Sequence, residues 1–153
     1  MTLEVFEDLV SNVFNKFMDT FFKLNIDLEI VKNDETKSYD NVIFISLFGD
    51  IEGAFVLEVD NDTVKKFLDR IEQKLEQSMD LSQFVKGYIG EFANILVSRV
   101  VGNLGKNFGN TFLSTPSLFS GVGMTANLFY ENNLKTTIES DFGCIRVSFS
   151  VRN

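Results

Sequence analysis

A carboxylate and a carboxamide lie three residues apart in the stretch GEFANILV, as Glu91 and Asn94. Gly87 precedes the glutamate by four residues, and Ser98 follows the asparagine by four. In a helix all four positions share one face. A carboxylate can pair with a cation of another molecule, and a carboxamide both accepts and donates hydrogen bonds. Gly87 and Gly90 each cost a helix interior about 1 kcal/mol relative to alanine. The pattern therefore indicates a face that another molecule approaches closely.

A long helix over 80–103 is predicted to carry this face. Asp80 is a favourable N-cap residue, and Gln83 stands where a capping-box partner belongs. Gly102 and Gly105 indicate the end of the helix. A second stripe at helical spacing is apolar and consists of Phe84, Tyr88, Phe92, Ile95 and Val100. The apolar stripe must pack on a core, which leaves the polar face toward solvent.

The segment GEFANILV resembles the E-x-x-N signature of the CheC/CheX/FliY family, which are phosphatases of chemotaxis response regulators. Glu91 and Asn94 match the signature. Pro116 matches a proline that the family has after the asparagine, with a gap one residue shorter. Position 87 departs from the family, because Gly87 stands where the family has Asp or Ser.

Two further blocks are similar to the family and occur in the same order. FISLFGDIEGAFVLEV, over 44–59, resembles the family's Gly-Asp-x-x-Gly strand pair, and STPSLFSGVGM, over 114–124, resembles the segment around the proline. The first predicted helix lacks a second E-x-x-N, because Leu9 and Asn12 stand three residues before Asn12 and Asn15. The resemblance is therefore to the single-site CheX arrangement.

The resemblance implies a phosphatase that acts on the aspartyl-phosphate of a CheY-like receiver domain in chemotaxis or two-component signalling. Asn94 would orient the attacking water, and Glu91 would pair with a lysine of the receiver. Gly87, Ser98 and Pro116 would shape the site. It implies no intrinsic cofactor or metal site, because the receiver would bring the Mg²⁺. It also implies a homodimer, as for CheX.

Simpler interpretations of the same residues stay open. Glu91 can be an ordinary solvated side chain, and Gly87 can serve a contact between helices inside the fold. Ser98 can be small-residue packing, and Pro116 can be a loop residue. For the whole protein, the alternative is a non-catalytic module that binds receivers or belongs to a flagellar-switch-like assembly. A structural dimer without a receiver partner is a more distant alternative.

Composition limits the classes of function. The 153 residues predict a single domain, 1–153. A net charge of −8 argues against nucleic acid and against anionic membrane surfaces as partners. With no histidine and one cysteine, Cys144, the chain has no intrachain disulfide, no Cys/His zinc site and no histidine base. The absence of a signal-like segment and of any long apolar run predicts a cytoplasmic protein.

The remaining pattern predicts an α+β domain with helices packed on an antiparallel or mixed sheet. Helices are expected at 3–24 and 62–77, and strands at 26–31, 42–48, 54–59, 111–114, 124–131 and 143–151. GDIEGAFVLEV and ESDFGCIRVSF each place a glycine before an alternating strand, which indicates two pseudo-symmetric halves.

The last predicted strand alternates cleanly. Its inward residues are expected to be Ile145, Val147, Phe149 and Val151, and its outward residues Arg146, Ser148, Ser150 and Arg152. Such a strand at the end of the chain can form a sheet edge, which favours pairing with a second copy.

Overall fold

The structure, a computed structural model, describes residues 1–75, 78–104, 109–124, 126 and 132–152. The helices are α1 Leu3–Phe22, α2 Asn61–Leu75, α3 Leu81–Phe84 and α4 Gly90–Asn103. A π-helical turn, Val85–Ile89, joins α3 to α4, and these three segments together are called the long helix. The strands are β1 Glu29–Val31, β2 Tyr39–Gly49, β3 Gly53–Val59, β4 Thr111–Leu113, β5 Ser117–Met124, β6 Asn132–Ser140 and β7 Gly143–Val151.

The described strands form one seven-stranded antiparallel sheet. Its order is β1-β6-β7-β3-β2, and the far side of β2 pairs with β4 at one end and with β5 at the other. The hairpins β2–β3 and β6–β7 meet through their second strands, from Gly53 opposite Val151 to Val59 opposite Ile145. Gly53 and Gly143 open these two central strands. The predicted α+β class with two related halves is confirmed.

One face of the sheet carries the helices. Alternate residues of the central strands, including Leu57 on β3 and Val147 on β7, pack with the apolar sides of α1, α2 and the long helix in one core. α1 begins at a side-chain cap, where Thr2 Oγ1 accepts a hydrogen bond from the Val5 N–H at 3.2 Å. It ends before Lys23, whose left-handed backbone (φ 56°) closes the helix two residues earlier than predicted.

The opposite face of the sheet corrects an expectation. Arg146, Ser148 and Ser150 lie on it as the alternation requires, but they are buried, with exposures of 3%, 3% and 0%, and do not face solvent. The guanidinium of Arg146 donates from Nε and Nη2 to the two carboxylate oxygens of Glu58, at 2.9 and 2.7 Å. Alternation separates the two faces of a strand, but it does not say whether the second face is covered.

The loop after β1 provides further hydrogen-bond acceptors for the Arg146 side of this buried pair. Arg146 also donates to the carbonyl oxygens of Asp34 and Lys37, at 3.0 and 3.1 Å. Its guanidinium carbon lies 4.7 Å from the centre of the Tyr39 ring. Burial acts to lower the pKa of Arg146, but the hydrogen bonds and charge of Glu58 outweigh it and raise that pKa. Burial also raises the pKa of Tyr39 to about 12.

The edges of the sheet differ from the prediction. β7 lies between β6 and β3, so the last strand is not an edge, and this prediction was wrong. β5 and β6 were both missed, and most of the strand predicted at 124–131 lies outside the described residues. β5 is at the edge instead, and it exposes Phe119 and Val122 by 55% and 98%. No helix in the described ranges is long and apolar enough to cross a membrane.

Candidate functional site

The long helix positions the predicted site residues. It spans Leu81 to Asn103, close to the predicted 80–103. Asp80 stands at the N-cap with extended backbone, but its side chain makes no capping hydrogen bond within the part of the chain that is described. Its carbonyl oxygen accepts the first hydrogen bond of the helix, from the Phe84 N–H at 2.9 Å. The predicted capping box is therefore not formed.

Aromatic contacts with α1 fix which side of the long helix faces the core. The Phe92 ring lies 5.4 Å from that of Phe14 and 5.6 Å from that of Phe17. Nearer the start of the long helix, Tyr88 contacts Phe21 at 6.2 Å between ring centres. Partners further along α1 lie earlier on the long helix, so the two helices run antiparallel. The side opposite these rings is the outer face.

The π-helical turn aligns the aromatic residues. Gly90 donates its N–H to the carbonyl of Val85, five residues earlier. Phe84, Tyr88 and Phe92 are spaced four and four, and eight residues of ordinary α-helix would rotate the third away from the first by about 80°. The wider turn absorbs this rotation, so all three rings face α1. Such turns are frequent at functional sites.

Glu91 and Asn94 lie on the outer face of α4, immediately after this turn. Glu91 is exposed and Asn94 is half-buried, while their neighbours Phe92 and Ala93 are buried. Residues at this spacing have Cβ atoms about 5–6 Å apart. Within the described part of the chain, neither side chain has a hydrogen-bond or ion-pair partner. Their polar groups are therefore available to an incoming molecule.

Gly87 and Ser98 extend the same face by one turn in each direction, and both are exposed. A Cβ added at Gly87 would meet no atom within 4 Å. The described residues thus provide no contact between helices that would require this glycine. Gly87 leaves an open notch beside Glu91.

Pro116 lies against the long helix at Gly90. A Cβ added at Gly90 would be 4.0 Å from the Pro116 Cβ, which is ordinary van der Waals distance. The segment that carries the proline is tied to β2, because the Ser114 N–H donates to the Ser46 carbonyl at 2.9 Å. The Ser46 N–H in turn donates to Ser114 Oγ at 2.8 Å. Pro116 is thereby held one helical turn before Asn94.

A cleft of about 310 Å³ lies between this proline and the π-helical turn. It is lined by Ile43, Val85, Lys86, Gly90, Pro116 and Leu118. Lys86 is exposed, and sequence reasoning did not identify it, because a single lysine on a helix carries no distinguishing signal. The cleft places one cationic side chain near the outer face.

The outer face presents a carboxylate and a carboxamide, and among the described residues it presents no cluster of metal ligands. Among the described residues, no three His, Cys, Asp or Glu side chains cluster closely enough to hold a metal ion. A carboxylate can form a charge-assisted hydrogen bond with an ammonium group. A carboxamide one turn away can hold a water through its oxygen while its NH₂ donates elsewhere. The arrangement suits recognition of a cation next to a positioned water.

Comparison with known proteins identifies the family. Residues 42–137 match the family model described as chemotaxis phosphatase CheX. This region includes the long helix and the Pro116 segment. No curated protein matches the sequence.

Solved structures show the same fold. The chemotaxis protein CheX from Vibrio vulnificus is 19% identical, with a TM-score of 0.73 over 96% of this chain and 99% of that chain. CheX from Desulfovibrio desulfuricans is 15% identical, with a TM-score of 0.70 over 96% and 99%. CheX in the CheX–CheY–BeF₃–Mg²⁺ complex from Borrelia burgdorferi is 20% identical, with a TM-score of 0.69 over 98% and 97%.

Proposed function

Because this chain belongs to the CheX family of chemotaxis phosphatases, we propose that it hydrolyses the aspartyl-phosphate of a CheY-like receiver domain in chemotaxis or two-component signalling. The observation that carries this proposal is the pair Glu91 and Asn94, adjacent on the outer face of α4 and without described partners. The CheX structure solved together with CheY, BeF₃ and Mg²⁺ supports a receiver as the partner.

Asn94 is the proposed catalytic residue that orients water. Its side-chain oxygen accepts a hydrogen bond from the water and holds it in line with the phosphorus–oxygen bond to the receiver's aspartate. A carboxylate in this position would repel the phosphoryl oxygens. The water oxygen bonds to phosphorus, the bond to the aspartate oxygen breaks, and the water's protons pass to the phosphate product and to solvent.

This reaction requires little acid–base help from the protein. The leaving group is a carboxylate, which is stable at neutral pH because an ordinary aspartic acid has a pKa of about 3.9. Phosphoryl transfer depends mainly on positioning and electrostatic stabilisation. A chain without histidine is compatible with such chemistry.

Glu91 is the proposed docking residue. Its carboxylate pairs with the lysine of the receiver's phosphorylation site and fixes the long helix over that site. The notch at Gly87 and the cleft beside Pro116 admit the receiver's backbone, and Ser98 borders the same face. The receiver supplies the Mg²⁺, which neutralises charge on the phosphoryl oxygens, and no cofactor belongs to this chain itself. Since receivers of this kind act inside the cell, we place the protein in the cytoplasm.

Phosphate release from a panel of phosphorylated receivers tests this function. We expect the protein to accelerate release from at least one CheY-like receiver in the presence of Mg²⁺. Affinity for the same receivers carrying a phosphoryl mimic is measured in parallel. Binding without accelerated release across the whole panel would contradict the phosphatase and favour the non-catalytic receiver-binding module.

We also propose that the protein is a homodimer, joined along the outer edge of β5. No described strand pairs with that edge, and its exposed Phe119 and Val122 give it an apolar character. Exposed apolar edges of this kind favour pairing with another chain. Sedimentation at micromolar concentration should show a species of twice the 17.4 kDa chain mass. Val122→Lys should shift it toward monomer, and a wild-type species of single-chain mass would contradict the proposal.

A further inference from the structure

A surface groove of about 430 Å³ runs along the line where α1 packs on α4, next to the outer face. It is lined by Leu9, Asn12, Val13, Lys16, Phe17, Thr20, Phe21, Ile95 and Arg99. Most of these side chains are apolar. Phe21, near the end of α1, is among the exposed large apolar residues of the described chain.

The charge of the groove is opposite to that of the protein. The whole chain carries a net charge of −8, yet both charged residues that line the groove, Lys16 and Arg99, are cations. Both are exposed, and neither is in an ion pair within the described ranges. An occupant that satisfies this surface has an apolar side chain beside one or more carboxylates.

The groove continues directly from the proposed catalytic face. Glu91, Ile95 and Arg99 follow one another at intervals of four on α4, so they form a single row. Arg99 is about 12 Å along the helix axis from Glu91. A stable interface covers about 800 Å² of each partner, a patch about 30 Å across. A partner whose patch is centred on Glu91 and Asn94 reaches about 15 Å in each direction, which includes Arg99 and the adjoining end of the groove.

We propose that this groove is a second contact surface for the same receiver that covers Glu91 and Asn94. It determines which receiver the protein binds. It takes an apolar side chain of the receiver flanked by carboxylates, outside the phosphorylated pocket, and Lys16 and Arg99 pair with those carboxylates. This inference rests on the proposed function, because it takes the receiver as the molecule that covers Glu91 and Asn94. The groove sets affinity and partner choice, whereas the Glu91–Asn94 face performs the chemistry.

Charge reversal tests the groove. The double variant Lys16→Glu, Arg99→Glu should raise KM for the phosphorylated receiver roughly tenfold, because like charges placed across an interface repel. It should leave kcat at saturating receiver within about twofold, because neither residue contacts the reacting atoms. The matched control, Lys65→Glu with Lys66→Glu, changes the net charge equally on exposed positions of α2 and should leave both constants unchanged.

A steric variant separates shape from charge. Thr20→Trp fills the groove from an exposed lining position and should raise KM without lowering the midpoint of thermal unfolding. Added salt should narrow the difference between wild type and the charge-reversed variant but not the effect of the tryptophan.

The outcomes distinguish this inference from the proposed function. If wild type hydrolyses the receiver and both groove variants keep its KM, the groove is not a receiver site although the phosphatase stands. If wild type binds a mimic-loaded receiver without hydrolysing it, and the variants weaken that binding, the groove is supported and the phosphatase fails. If the variants change only the sedimentation of the protein, the groove contacts a second copy and the inference is wrong.

Discussion

Two glutamates of this protein have opposite environments. Glu58 on β3 is 1% exposed, and both of its carboxylate oxygens accept hydrogen bonds from Arg146. Glu91 on α4 is exposed and has no partner among the described residues. Glu58 is on the sheet face opposite the helices, and Glu91 is on the outer side of the helical layer.

This difference distinguishes polar side chains that stabilise the fold from polar side chains that are available for function. A buried charge must be paired, because an uncompensated ion in the interior is very costly. Glu58 and Arg146 are thus paired internally, and their burial keeps them away from any ligand in solvent. The exposed carboxylate of Glu91 and the half-buried carboxamide of Asn94 add little to folding, and the neighbouring Gly87 opposes folding through its low helix propensity. Polar groups that the fold does not use are the ones available for another molecule.

Replacing each of the two glutamates by alanine tests this comparison with the largest expected effect. Glu58→Ala leaves the Arg146 charge buried and unpaired, and should lower the free energy of unfolding by about 3–5 kcal/mol. Glu91→Ala should change it by less than about 0.5 kcal/mol. Urea unfolding of both variants provides the measurement, and Glu58→Gln, which keeps an oxygen acceptor, serves as an intermediate control. Equal losses at the two sites would contradict the distinction.

High pH should destabilise the buried region through Tyr39. Burial raises the pKa of this phenol from about 10 to about 12, so the folded state favours the protonated form. The corresponding stability is complete below about pH 10 and is lost as the pH rises toward 12, in total about 2–3 kcal/mol. Tyr39→Phe cannot ionise and should lack this loss. The free energy of unfolding is measured in urea for wild type and for Tyr39→Phe between pH 9 and 12. An equal decrease with pH in both proteins would exclude Tyr39 as the cause of the loss.

A smaller change than those at Glu58 and Tyr39 is expected at the notch beside Glu91. Gly87→Ala should raise the free energy of unfolding by up to about 1 kcal/mol, because the added methyl meets no atom and alanine favours helix. The same variant should weaken receiver binding, because the notch admits the receiver.

Gly102→Ala is the matched control for this variant. Gly102 is also helical and exposed, and an added Cβ there meets no atom within 4 Å. It should therefore stabilise the fold by a similar amount and leave receiver binding unchanged. Equal binding by the Gly87→Ala and Gly102→Ala variants would show that the notch has no role in docking.

Local sequence patterns predicted the helical layer well. The apolar spacing placed the long helix within a residue of its observed start, and the glycine-bounded alternating runs predicted the β2–β3 hairpin and β7. The position of Pro116 against Gly90 was not predictable, because it depends on the Ser46–Ser114 hydrogen bonds between distant segments. β5 was missed because its side chains are mostly exposed and it contains Gly121 and Gly123, so it lacks an alternating apolar pattern.

The buried polar face was the main failure of prediction. Arg146 and Ser148 were assigned to solvent because they alternate with apolar residues, a pattern typical of a sheet with one wet face. The burial of Arg146 depends on Glu58, directly opposite it in the β3–β7 register, and on the loop after β1. Such pairing arises from tertiary structure, which a single strand does not encode.

The catalytic role of the outer face is tested most directly by phosphate release from a phosphorylated receiver with the wild-type protein and with Asn94→Ala. The variant should reduce kcat on the order of 10²-fold, as the loss of one preorganised polar group does. It should bind a mimic-loaded receiver nearly as well as wild type, whereas Glu91→Ala should weaken both binding and turnover. Asn15→Ala, an exposed asparagine of α1, should retain full activity. Equal rates for wild type and Asn94→Ala on a receiver that the wild type hydrolyses would contradict the account.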